Sequence, residues 1–257
     1  MSTYGVHLLP LGRGDVPGPE LFWMSGFEEW HTLLFQSALI RGDGVTVLVN
    51  TGPARDLEPM NAHWEKVLGA RARMRREPGE YIVDQLAAHD LTPDDVTHVV
   101  LTPLQLYTVS NVALFQNAEI CVARRGWVHF HTTHAHPHDN RATSIPDDVL
   151  VHLVTDAWPR VRLLADEDQL APGLRTWWSG VHHRASVVVE VDAPAGVAAI
   201  SDSYFVLDNV EKDIPIGINE NMYEAITAYA RVRDTADIVV PLYDPRNLDR
   251  FPGGRIA

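Results

Sequence analysis

The sequence predicts one α/β domain in which paired strands form sheets and helices lie outside them. Three observations predict it. Apolar runs of strand length come in pairs around Gly- or Pro-containing turns, and helical stretches follow the pairs. The same order, strand pair then helix, returns in the second half. No linker separates the halves, and 257 residues suffice for a full core, so the domain is taken as residues 1–257.

The early part reads as strands. Leu34 to Arg41, the turn Gly42-Asp43-Gly44, and Val45 to Asn50 have the form of a β-hairpin, with Gly at both ends of the turn suited to positive φ. The second strand runs into Asn50-Thr51-Gly52. From Glu80 to His89 the apolar positions Ile82, Leu86 and Ala87 indicate an amphipathic helix, followed by a turn over Leu91 to Asp95 and a buried strand from Val96 to Leu101. Asn117-Ala118-Glu119 leads into a further strand, Ile120 to Ala123. Gly126 to Asp148 is polar and rich in His and Pro, and reads as a long loop or lid with one helical turn; such loops tend to be functional. Val187 to Val191 and Gly196 to Ile200 form a second hairpin. A helix from Asn221 to Val232 groups Met222, Ala225, Ile226, Tyr229 and Val232 on one face, Ile238 to Pro241 is a short strand, and the tail from Asp244 is turn-rich.

Composition narrows the function classes. Thirty-four acidic residues against 21 basic ones give a formal charge of −13, which repels phosphate backbones and argues against a nucleic-acid partner. No apolar run approaches the roughly 20 residues that span a bilayer, and the N-terminus has no secretory pattern. With the single Cys121, expected as inert packing, this points to a cytoplasmic protein. The basic cluster Arg71, Arg73, Arg75 and Arg76, with Glu77 and Glu80 beside it, reads as a solvated helix face. Trp177 and Trp178, adjacent on a strand, are expected on opposite faces. Phe22, Trp23, Phe27 and Trp30 read as an early loop forming a covered minor core, with an interface patch as the alternative.

The run Val99-Val100-Leu101-Thr102-Pro103-Leu104-Gln105-Leu106-Tyr107-Thr108-Val109-Ser110-Asn111 through Leu114-Phe115-Gln116-Asn117-Ala118 resembles the signature strand and loop of the metallo-β-lactamase superfamily. The resemblance is to the branch similar to N-acyl-homoserine lactonases, where an apolar strand ending in Thr precedes His-x-His-x-Asp-His. It extends over most of the chain. Val49-Asn50-Thr51-Gly52 resembles the family's Asp-Thr-Gly strand end, Trp177 to Ser186 its Gly-His loop, Ala199 to Ser203 the strand end with the bridging Asp, and Val239 to Pro245 its last ligand loop. The resemblance implies a four-layer αββα sandwich.

The family's metal ligands do not carry over. Pro103, Gln105, Tyr107 and Thr108 stand at the three His and the Asp, and Tyr243 stands where the last His is expected. Zinc takes imidazole, thiolate or carboxylate groups, three or four together. Prolyl and threonyl side chains offer nothing comparable, and a tyrosine would have to lose a proton with a pKa near 10. Asp202 is retained, and His182 is retained if the loop is aligned with a two-residue gap; an ungapped alignment places Gly180 there. His182 and Asp202 are thus the metal candidates, and no cofactor is expected unless a rebuilt site holds zinc or another divalent metal.

His182, His183, Asp202, Tyr107 and Tyr243 are the candidates for retained chemistry, with a neutral hydrogen-bonded network around Asp202 as one expected form. His129, His131, His134, His136 and His138, with Asp139, are read as a surface flap in preference to an improvised metal site, because the resembled family keeps that region outside its metal centre. Whether the chain is an enzyme stays open. The leading reading is a non-catalytic or auxiliary subunit, paired with a metal-competent relative or with a second copy of itself. The alternatives are a hydrolase with a mononuclear or metal-free site around His182 and Asp202, and a small-molecule binding protein.

Overall fold

A computed structural model describes residues 3–132 and 144–256. A long antiparallel pair opens the chain: β1 (Gly5–Pro17) and β2 (Trp30–Gly42), joined through the short helix α1 (Gly18–Leu21). The pair bends at a bulge between Pro10 and Gly12. Gly12 has φ +145°, and a Cβ there would lie 2.9 Å from the Arg75 carbonyl, so only glycine lets the crossing segment bond to the strand. The first hairpin is as expected, with β2 turning at Asp43 and Gly44 into β3 (Val45–Val49).

Next come α2 (Glu58–Leu68), α3 (Ile82–Ala87), β4 (His98–Leu101), α4 (Leu106–Val109), β5 (Glu119–Ala123), α5 (Arg124–His131) and α6 (Asp147–Val154). The remainder supplies β6 (Val161–Leu164), β7 (Glu167–Ala171), β8 (Leu174–Trp178), β9 (Val187–Ala193), β10 (Gly196–Ser201), α7 (Leu207–Glu211), α8 (Met222–Thr235), β11 (Ile238–Pro241) and α9 (Asn247–Arg250). Among the described residues the strands make two sheets, ordered β1-β2-β3-β4-β5-β6 and β11-β10-β9-β8-β7.

Strand alternation sorts the side chains into layers. Val47, Val49, Val100, Cys121 and Ala123 face the second sheet and pack with Val187, Val189 and Val191. Leu48, Val99, Leu101, Ile120 and Val122 face the other way, against Ile82 and Leu86 of α3, Trp127 of α5 and Val149 and Leu153 of α6. Ala225, Ala228, Tyr229 and Val232 of α8 join the core of the second sheet from outside. The result is the expected helix, sheet, sheet, helix order. Cys121 is fully buried, and its burial raises the thiol pKa, which fits inert packing.

Several local expectations change. Gly126 to Asp148 is not one loop: its described parts begin with most of α5 and end in α6. Gly126 is the reason α5 fits there, since a Cβ would sit 2.2 Å from that of Ala185 in the loop after β8. The Arg71–Arg76 cluster is not a helix face. Arg71 and Arg75 pair with Asp15, Arg73 pairs with Glu58 and Glu65, and Arg76 donates to the carbonyls of Leu11, Pro53, Ala54 and Arg55. Trp30 begins β2 rather than lying in a loop, while Trp23 and Phe27 are 46% and 67% exposed, so no minor core covers them. On α8, Ile226 is exposed and Ala228 takes the buried place. No helix among the described residues is long and apolar enough to cross a membrane.

Candidate functional site

The site forms where strand ends of the two sheets converge, the usual location for a crevice in an α/β sheet. Asp202 follows β10 and is fully buried. Both of its oxygens are engaged: the Thr102 hydroxyl, at the end of β4, donates to Oδ1, and the Ser186 hydroxyl donates to Oδ2 at 2.5 Å. His182 Nδ1 lies 3.0 Å from Oδ2 and completes the set of donors. A buried carboxylate needs such partners, because its desolvation is not otherwise offset.

Thr102 is itself clamped. The Asn50 side chain accepts from the Thr102 N–H at 2.8 Å and donates to its carbonyl at 2.6 Å. A carboxylate at position 50 could accept but not donate, so Asn is the residue that this neutral arrangement requires. Asn50 has φ 67°, a conformation that Asn tolerates, and the Ser37 hydroxyl holds its carbonyl. Thr108, at one family ligand position, spends its hydroxyl on the carbonyls of Pro103 and Gln105 and closes the turn before α4.

Tyr107 and Tyr243 lie above this network with ring centroids 6.2 Å apart. Burial, reinforced by Asp202, raises both hydroxyl pKa values far beyond the ordinary tyrosine value, so neither is disposed to become a phenolate. The Tyr243 hydroxyl is buried and is directed as a donor at the Tyr107 hydroxyl. Phe35 stacks at 5.4 Å from Tyr107 and 5.2 Å from Tyr243, Trp64 lies 5.8 Å from Phe35, and Phe205 lies 5.0 Å from Tyr243. These five rings line a cleft of about 280 Å³, which His182 also faces. Since Nδ1 serves Asp202, Nε2 of His182 is left toward the cleft without a protein partner among the described residues.

Glu20, from α1, lines the same cleft and had no sequence signal beyond an acid set among apolar neighbours. Burial pushes its carboxyl up to about 7, against a smaller lowering by His182. His183 does not reach the cleft; its Nδ1 accepts from the Ala185 N–H at 3.1 Å within the loop. Trp177 is buried and Trp178 lies at the surface beneath Arg125 and Arg184, opposite faces as expected but away from the cleft. His129 and His131 sit on α5, while His134, His136, His138 and Asp139 lie outside the described residues.

No family model matches the sequence, and no curated protein matches it. Solved structures do. An N-acyl homoserine lactone hydrolase, with N-hexanoyl-L-homoserine bound at its catalytic metal centre, superposes with a TM-score of 0.81 at 15% identity, covering 97% of this chain and 96% of that one. AiiA of Bacillus thuringiensis, with N-decanoyl-L-homoserine at its active site, gives 0.80 at 16% identity over 97% and 96%. A Thermotoga maritima protein assigned to the metallo-β-lactamases gives 0.55 at 16% identity over 94% and 97%. The chain has the metallo-β-lactamase fold.

The residues at this site do not fit a dinuclear metal. Thr102, Ser186 and His182 already surround Asp202, the two tyrosines resist ionisation, and the described residues contain no group of three His, Cys, Asp or Glu placed to hold a metal ion. Hydroxyl donors and aromatic rings stand where ligands would converge.

Proposed function

We propose that this chain is a non-catalytic member of the metallo-β-lactamase fold whose cleft binds a small molecule. One observation carries the reading: the region of the metal ligands has become a closed hydrogen-bond network around Asp202, while the cleft above it stays open and aromatic. A few convergent polar groups in an apolar concavity are what a ligand site needs. An auxiliary role beside a metal-competent relative, or as a pair of identical chains, belongs to the same proposal. The test is elemental mass spectrometry on untagged protein, with its mass in solution and its turnover of lactones and esters. The expected result is far less than one metal per chain and no turnover above buffer. Near-stoichiometric metal, lost together with turnover in the H182A/D202A double variant, would overturn it.

A second reading rests on His182 Nε2. Backed by Asp202 and turned to the cleft, it is placed as a general base that takes a proton from an attacking water, without metal. General-base catalysis supplies about 10²–10⁴-fold, so a folded H182A variant would lose ester turnover by that factor. Turnover unchanged in H182A would eliminate this reading.

A further inference from the structure

We propose that the cleft is built for an organic cation, an alkylammonium or quaternary ammonium group held against the aromatic rings with Glu20 as its counter-charge. The inference rests on the proposal that the cleft binds a small molecule, and adds the ligand's class.

The first support is the wall itself. Phe35, Trp64, Tyr107, Phe205 and Tyr243 are in mutual contact, with neighbouring centroids 5.0 to 6.2 Å apart, and most of these contacts are edge-on or tilted. Such contacts leave ring faces at several orientations around one space. Ring faces carry the negative part of the quadrupole and attract a cation that has shed its water.

The second support is how the protein treats several of its other aromatic faces. Arg71 lies over Trp30 at 4.9 Å, Arg55 over Tyr81 at 4.0 Å, Arg125 over Trp178 at 4.0 Å, and Arg231 over Trp177 at 4.3 Å. Among the described residues, none of the five cleft rings carries a cation of its own.

The third support is the acidic group of the wall. Asp15 also lines the cleft, but its carboxylate is already shared by Arg71, Arg75 and the Thr32 hydroxyl. The Glu20 carboxyl makes no side-chain hydrogen bond or ion pair among the described residues, and it lies close enough to His182 and Tyr107 to act on both electrostatically. A bound cation would offset the burial of the Glu20 charge. The net charge of −13 favours the approach of such a ligand.

The probe pair is choline and its neutral carbon isostere, 3,3-dimethylbutan-1-ol, titrated calorimetrically at about pH 8, a unit above the Glu20 value. Choline is expected to bind about tenfold or more tighter than the isostere, the scale of a desolvated cation–π contact. That preference should shrink in the isosteric variant Glu20→Gln and in Trp64→Leu, both at the cleft wall rather than in the deep core. Equal binding of the two probes would overturn the cation assignment and leave the small-molecule cleft standing. Binding of neither would overturn both. A choline preference unchanged in both variants would place the cation elsewhere and also overturn the assignment.

Discussion

Asp202 and Glu20 are two carboxyl groups in one small region with opposite surroundings. Asp202 receives Thr102, Ser186 and His182, all placed as donors. Replacing it by Asn turns an amide N–H₂ toward at least one of them and leaves a buried donor unpaired. The D202N variant should therefore lose about 1–3 kcal/mol in urea unfolding without change of fold. Glu20 has no such donors, and its carboxyl is raised from an ordinary 4.5 to about 7. Between these values the folded chain holds a proton that the unfolded chain has released. The sign follows: stability from this group is complete below about 4.5 and declines as pH rises through 7. E20Q cannot ionise, so its melting temperature should exceed that of the parent at pH 8 and converge with it toward pH 5. A difference that grows on the acid side would contradict the assignment. Sequence reading reached Asp202, His182, Tyr107 and Tyr243 through the resemblance of the segments that carry them. It placed His183 with them, although that ring turns back into its own loop. Glu20, Phe35, Trp64 and Phe205 were illegible, since their convergence depends on segments up to 185 positions apart and no local pattern marks them.

The loop between β8 and β9 is the element on which the site depends. Ser179 and Gly180 donate their N–H groups to the Ser186 carbonyl, closing the loop at its base, and Gly126 of α5 lets a helix press against Ala185. Its outer edge is tied to α8: Arg184 pairs with Glu220 and Glu224 and lies over Trp178, while Glu224 also accepts the Val181 N–H. Asn221 caps that helix by accepting from the N–H groups of Tyr223 and Glu224, so the anchor itself has a fixed start. Arg184→Met should leave the fold intact, lower stability by up to about 1 kcal/mol as partly exposed pairs do, and speed amide exchange across residues 179–186. Exchange unchanged there would mean that Gly126 and the base of the loop suffice to hold His182. The strands β3, β4, β5 and β10 were legible because short apolar runs bounded by turn or polar residues mark them locally. The helix α5 was not, since Trp127 alone of its eight residues is a large buried side chain and the exposed Val128 breaks any apolar periodicity.

At the scale of the whole molecule, the two sheets bring the ends of β3, β4, β8, β10 and β11 together, and that convergence makes both the network and the cleft. Hydroxyls and rings surround that convergence, and both sheets keep their strand order around it. The sequence by itself determined the α/β class and, through its resemblance, the layer order and the strand ends that meet. These are local properties: periodicity sets an element, and side-chain chemistry decides whether a residue can bind a metal. Only the tertiary structure decided that His182 turns one nitrogen to Asp202 and the other to the cleft, that His183 does not join it, and that Glu20 and five aromatic rings share one space. Those facts depend on distances between residues remote in the chain, which packing of the layers fixes and no local pattern encodes.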